Sequence, residues 1–139
     1  MDISGYTSFF HDGSLLGIKH EKDKIELSMS SAEMDEEDLK EPIELSRDNR
    51  IVGKLHIEGV KNVTVDDERL EKSLKKKYDD GEIFHFEIIN NTVNLEIIWG
   101  NYPPNPAKDE FSEITIEAQK VYWENIPHLE SEISPRPKT

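Results

Sequence analysis

The sequence predicts a mainly β fold: a β-rich α+β domain with an antiparallel sheet, curled as a barrel or folded as a sandwich, and one helix at about 67–79. Three observations carry this. Isoleucine outnumbers leucine, 15 to 10, and side chains branched at Cβ suit a pleated sheet better than a helix. Apolar and polar residues alternate with period two in several segments, the pattern of a half-buried strand. Adjacent segments are separated by short polar turns, and no β-α-β rhythm appears, which favours hairpins over a parallel sheet.

Ser14–His20 carries Leu15, Leu16 and Ile18 and reads as the first strand; Glu21-Lys22-Asp23 is a polar turn. Ile25, Leu27 and Met29 then alternate with Glu26 and Ser28, completing a hairpin. From Ser31 to Asp48 the alternation is lost. This surface excursion has Met34, Leu39, Ile43 and Leu45 as anchors and a short helical turn that Ser31 or Asp35 caps and Pro42 ends. Ile51–Glu58 is a strand broken by Gly59, and Val60, Val63 and Val65 form another extended piece. Leu70, Leu74 and Tyr78 recur at helical spacing, with acids Asp67, Glu68 and Glu71 at the start and Lys75, Lys76 and Lys77 at the end, a polarity that suits a helix dipole. Glu82–Asn90 and Thr92–Gly100 form the clearest hairpin, because Asn90-Asn91 tolerates positive φ in a tight turn. In it Phe84, Phe86 and Ile88 share one face. Tyr102-Pro103-Pro104-Asn105-Pro106 is a loop. Phe111–Glu124 reads as one long strand with a bulge near Lys120–Trp123. That makes six or seven strands in a single domain at 1–130, with a flexible polar tail at 131–139.

The chain holds 30 acidic and 17 basic residues in 139, a formal charge of −13. Such a charge repels phosphate backbones and anionic membranes, so nucleic acid and membrane surfaces are not expected partners; a basic protein is attracted. There is no cysteine, which excludes disulfides, thiolate metal sites and thiol nucleophiles. The N-terminal stretch lacks a basic then apolar signal pattern, and no run reaches the roughly 20 apolar residues of a membrane span. A cytoplasmic location is expected.

Candidate chemistry is sparse. The histidines His11, His20, His56, His85 and His128 never stand three or four apart, so helical zinc spacing is absent. His56 and His85 fall on the polar phase of strands; they could meet across the sheet and share a metal with a carboxylate, but solvated strand histidines are commoner, and no metal or other cofactor is expected. Phe10-His11-Asp12-Gly13-Ser14 brings imidazole, carboxylate and hydroxyl together in sequence, yet neighbours on an extended chain point apart and a nucleophilic triad needs convergence from distant segments. Asp12-Gly13 reads as a turn, and no catalytic residue is assigned. The acids Glu33, Asp35, Glu36, Glu37, Asp38 and Glu41 lack the ligand spacing of a calcium loop; they read either as a solvated face or as a surface for a basic partner. Phe84, Phe86, Trp99 and Tyr122 could line a small-molecule pocket, although large aromatics near a sheet more often fill a core.

At Phe10-His11-Asp12-Gly13-Ser14-Leu15-Leu16-Gly17-Ile18, followed by the alternating Ile25–Met29 strand and by Gly59-Val60-Lys61-Asn62-Val63, the chain resembles a loose group of small bacterial domains that open with an aromatic-His-Asp-small motif and a hairpin. Several of these are grouped with immunity proteins of contact-dependent and polymorphic toxin systems. The resemblance implies a protein that binds and neutralises a toxin domain, many of which are basic. The expected function is therefore a non-enzymatic, immunity-like domain that binds a basic partner protein. The alternative is a small-molecule-binding β-barrel, with or without enzymatic activity.

Overall fold

The computed structural model describes residues 1–100 and 110–129. The proline loop around Tyr102–Pro106 and the tail at 131–139 lie outside these residues. The chain opens with a 3-10 helix at Ser4–Phe10, then runs β1 (Ser14–Glu21), β2 (Lys24–Ser30), a 3-10 turn (Glu36–Asp38), β3 (Val52–Glu58), β4 (Asn62–Val65), β5 (Glu68–Arg69), β6 (Asp80–Ile89), β7 (Thr92–Gly100), β8 (Glu110–Glu117) and β9 (Lys120–Asn125). All nine strands join one antiparallel sheet in the order β5-β4-β8-β7-β6-β1-β2-β3-β9.

Both predicted hairpins are present. Lys22 takes φ 56° between β1 and β2, and Asn90 and Asn91 take φ 49° and 59° between β6 and β7. The excursion is largely as expected: Asp35 caps the short turn by accepting from the Glu37 amide, and Met34, Leu39, Ile43 and Leu45 pack on the core, but the turn ends at Asp38 with Leu39 as its cap, before Pro42 is reached.

The sheet is two half-sheets joined at one point. β1-β2-β3-β9 is paired over long registers, and so is β4-β8-β7-β6. Between them only Ser14 of β1 pairs with Glu82 of β6. Two connections then force the sheet to curl. Gly59–Lys61 leads from β3 to β4, and Ala118-Gln119 leads from β8 to β9, near opposite edges of the strand order. The three steps from Glu117 to Lys120 reach at most about 11 Å, so those edges must lie close. Backbone bonds hold them there: Lys61 N donates to Glu117 O, and Gln119 N is shared between Glu58 O and Gly59 O. β5 and β9 nevertheless do not pair, so the sheet does not close as a barrel.

The core lies inside the curl, between the two halves. Phe10 is its central plug: fully buried, its ring makes edge contacts with Phe86 of β6 at 5.2 Å and Trp123 of β9 at 5.5 Å. Ile25, Leu27, Leu55 and Ile57 join the same core from one half, and Ile83, Leu95, Ile97 and Ile116 from the other.

Two expectations are corrected. The helix at about 67–79 is absent. Asp66 and Asp67 both take positive φ, 53° and 67°, and turn the chain back so that Glu68 and Arg69 pair with Val65 and Thr64. The segment then runs irregularly, held by Leu74 N donating to His20 Nδ1 at 2.8 Å and by Lys76 Nζ donating to Leu16 O at 3.2 Å. Leu70, Leu74 and Tyr78 still pack on the core, so their spacing recorded burial rather than helix. The long strand Phe111–Glu124 is two strands, β8 and β9, which break at Ala118 and serve different half-sheets.

Gly13 marks the tightest point of the junction, since a Cβ there would stand 2.2 Å from the carbonyl oxygen of Ser30. Gly13→Ala should lower unfolding stability by about 1–3 kcal/mol in urea titration, whereas Gly5→Ala, with nothing within 4 Å, should stay within about 0.5 kcal/mol. Equal effects would contradict the close approach.

Candidate functional site

The N-terminal motif is a structural joint. Asp12 adopts φ 68°, and its amide donates to Ile83 O at 2.8 Å; the Ile83 amide donates back to Gly13 O at 2.8 Å. The His11 Nδ1–H donates to the Phe84 carbonyl at 2.6 Å, and the ring lies edge-on to Phe84 at 5.6 Å. Asp12 Oδ1 lies 3.6 Å from His11 Nε2, with both side chains more than half exposed. His11, Asp12 and Ser14 thus serve the turn and the start of β1.

The four aromatics of the proposed pocket are not brought together. Phe86 and Trp99 are buried in the core, where Trp99 Nε1 donates to Ser112 Oγ at 2.9 Å. Tyr122 lies on the opposite, outer surface of β9 and stacks on His56 at 4.9 Å. Phe84 points outward and is 47% exposed. The cause is a bulge: Ile83 pairs with Ile97 and His85 with Glu96, leaving Phe84 as the extra residue. The alternation that put Phe84 and Phe86 on one face breaks at that residue. His56 and His85 also stay apart, on strands that are not neighbours.

The six acids Glu33, Asp35, Glu36, Glu37, Asp38 and Glu41 are all exposed. Their excursion is fixed at its base, where Ala32 N donates to Phe9 O, Met34 N donates to Asn49 O and Arg50 Nη1 donates to Ser31 O. None forms an ion pair with a Lys or Arg among the described residues.

The outer faces of the half-sheets differ sharply in charge. On β1-β2-β3-β9, Lys19, Lys24, Lys54 and Lys120 balance Glu21, Glu26, Glu58 and Glu124. Cross-strand pairing sets opposite charges side by side: Glu21 with Lys24, Lys19 with Glu26, Lys24 with Glu58 and Lys54 with Glu124. His56 sits at the centre, with Nε2 2.8 Å from Glu124 and Nδ1 3.7 Å from Glu26. Tyr122 OH donates to Glu58 at 2.8 Å, and this bond, then burial and the surrounding carboxylates, push the phenol above the ordinary tyrosine range. A shallow groove of about 150 Å³ runs beside it, lined by Lys19, Glu21, Lys24, Glu26, His56 and Glu58. Its polar groups largely satisfy one another. Among the described residues, no cluster of three or more His, Asp or Glu is placed to hold a metal.

Strands β6, β7 and β8 carry Asp80, Glu82, Glu87, Glu96, Glu110, Glu113 and Glu117 and no Lys or Arg. Glu110 turns inward to Lys77 Nζ at 2.6 Å and Tyr78 OH at 3.2 Å; the Lys77 bond holds this carboxyl below the usual glutamate range. The other six follow the outward phase of their strands, and Glu96 stands directly opposite Glu113. Sequence reading did not isolate this face, because its acids are spread over three strands. The signal was nonetheless there: the segment 80–100 contains no lysine or arginine at all.

Searches against known protein families, curated proteins and solved structures found no match for this chain. No helix among the described residues is long and apolar enough to cross a membrane.

Like charges directly opposite in a sheet repel. Glu96→Lys should therefore stabilise the protein by about 0.5 kcal/mol in urea titration, with the gain shrinking at high salt. A loss of stability would contradict the outward, unpaired placement of Glu96.

Proposed function

We propose that this chain is a non-enzymatic binding domain whose partner is a basic protein. The observation that carries the reading is the division of charge within one sheet. A solubilising charge can be spread anywhere, and on β1-β2-β3-β9 acids and bases are equal in number and interleaved. Strands β6, β7 and β8 carry acids and no lysine or arginine of their own, Glu110 alone among these acids pairing with a lysine, Lys77, and the strip at Glu33–Glu41 adds further exposed carboxylates. Keeping like charges adjacent costs stability, and a cationic partner relieves that cost while speeding encounter.

An immunity-like role, in which the partner is a basic toxin domain, is the form of this reading that the N-terminal resemblance supports. The small-molecule alternative draws no support from Phe84, Phe86, Trp99 and Tyr122, which lie in three separate environments.

Affinity co-purification from the native cell at two ionic strengths tests the reading. A basic protein should be retained at about 0.1 M salt, where charges act over about 10 Å, and released near 1 M, where they act over about 3 Å. Retention indifferent to salt, or no retained protein, would contradict it.

A further inference from the structure

We propose that the outer face of β6-β7-β8 is the docking surface, and that it takes a polypeptide segment with an apolar or aromatic anchor flanked by lysine or arginine. This rests on the reading above and names the place and chemistry of the contact.

Among the described residues four large apolar side chains are strongly exposed: Met1, Phe84, Ile89 and Phe111. Three of these belong to β6 and β8. The Phe84 and Phe111 rings meet edge to face at 6.1 Å, and Ile98 of β7, the strand partner of Phe111, lies on the same face. Two phenyl rings, each 47% exposed, form an apolar centre. Carboxylates surround it: Glu82 pairs with Ile98 in the same row, and Glu96 and Glu113 face one another in the next.

The bulge at Phe84 is held in position. Its carbonyl accepts from His11, and Ile83 immediately before it exchanges backbone bonds with Asp12 and Gly13. The fold therefore fixes an exposed aromatic on the outward phase that Asp80 and Glu82 share. An aromatic centre ringed by charge is the arrangement of a binding hot spot. Acids without strand cations select a basic occupant over an acidic or neutral one, and a bound lysine or arginine can also lie over the phenyl faces. A second copy of this chain would bring the same acids against these, so electrostatics disfavour it as the occupant.

The test uses three synthetic heptapeptides with the full chain: one of lysines flanking a central tryptophan and leucine, one with both apolar residues changed to serine, and one with glutamate for lysine. Titration into isotope-labelled protein, followed by amide chemical shifts, locates and measures binding. The first peptide should shift β6, β7 and β8 amides and bind at least about tenfold more tightly than the other two. Phe84→Ser with Phe111→Ser should weaken it about tenfold or more, with the variant still folded as judged by unchanged amide shifts in β2, β3 and β9, although losing the ring contact lowers its urea stability. Glu96→Lys should weaken it while stabilising the fold, a pairing of effects that a merely structural role would not give. Glu33→Gln with Glu36→Gln and Glu37→Gln should change it less than about twofold.

Equal binding of the first two peptides, shifts confined to residues 33–41, or a dimer in sedimentation that the double serine variant abolishes would each overturn the proposal. The two readings fail separately. If the native basic partner is retained equally by wild type and the double serine variant, this face is not the site although the binding function stands. If no basic partner is retained by wild type, the broader reading fails.

Discussion

Two half-sheets meet through one strand pair, Ser14 with Glu82, and the rest of the structure depends on the groups that hold that contact. A single bridge between long antiparallel ladders is weak by itself. It is reinforced by the reciprocal bonds of Asp12 and Gly13 with Ile83, by His11 on the Phe84 carbonyl, and by the Phe10 ring between Phe86 and Trp123. Burying a phenylalanine contributes on the order of 1.5–3 kcal/mol, and here that burial is shared by both halves. The Gly59–Lys61 and Ala118-Gln119 links tie the halves a second time. The curl between these ties creates the one core.

The same joint has a consequence on the outer surface. His11 and Asp12 grip β6 at Ile83 and Phe84, where the strand carries an extra residue, and Phe84 stays on the outward phase of Asp80 and Glu82. Inside, the two halves are alike: aliphatic, aromatic and close-packed. Outside they diverge. The β1-β2-β3-β9 face sets its charges in cross-strand pairs, which stabilise the sheet. The β6-β7-β8 face accepts the Glu96–Glu113 opposition, which destabilises it. This difference between the two outer faces is the observation on which the proposed contact surface rests.

Much of this was legible in the sequence. Period-two alternation located the hairpins, and Asn90-Asn91 gave their sharpest turn, because strand burial and turn backbone are local properties. Long-range pairing was not legible. Leu70, Leu74 and Tyr78 have helical spacing, but Asp66-Asp67 reverses the chain, and His20 and Glu110, distant in sequence, hold Leu74 and Tyr78. The break at Ala118 depends on Asn91 and Gly59, so Phe111–Glu124 read as one strand. The acid strip at Glu33–Glu41 was visible because it is contiguous. The acidic aromatic face was not, because it assembles from three strands and turns on one bulge.

Native-state hydrogen exchange at the joint tests the central claim, that the two half-sheets are one cooperative unit fastened at Phe10–Ser14. The amides of Asp12 and Ile83 should exchange only through global unfolding, with the same opening free energy as Leu27 in one half and Leu95 in the other. Exchange of the joint amides at a lower free energy, or different values for Leu27 and Leu95, would show halves that open independently and would contradict the account.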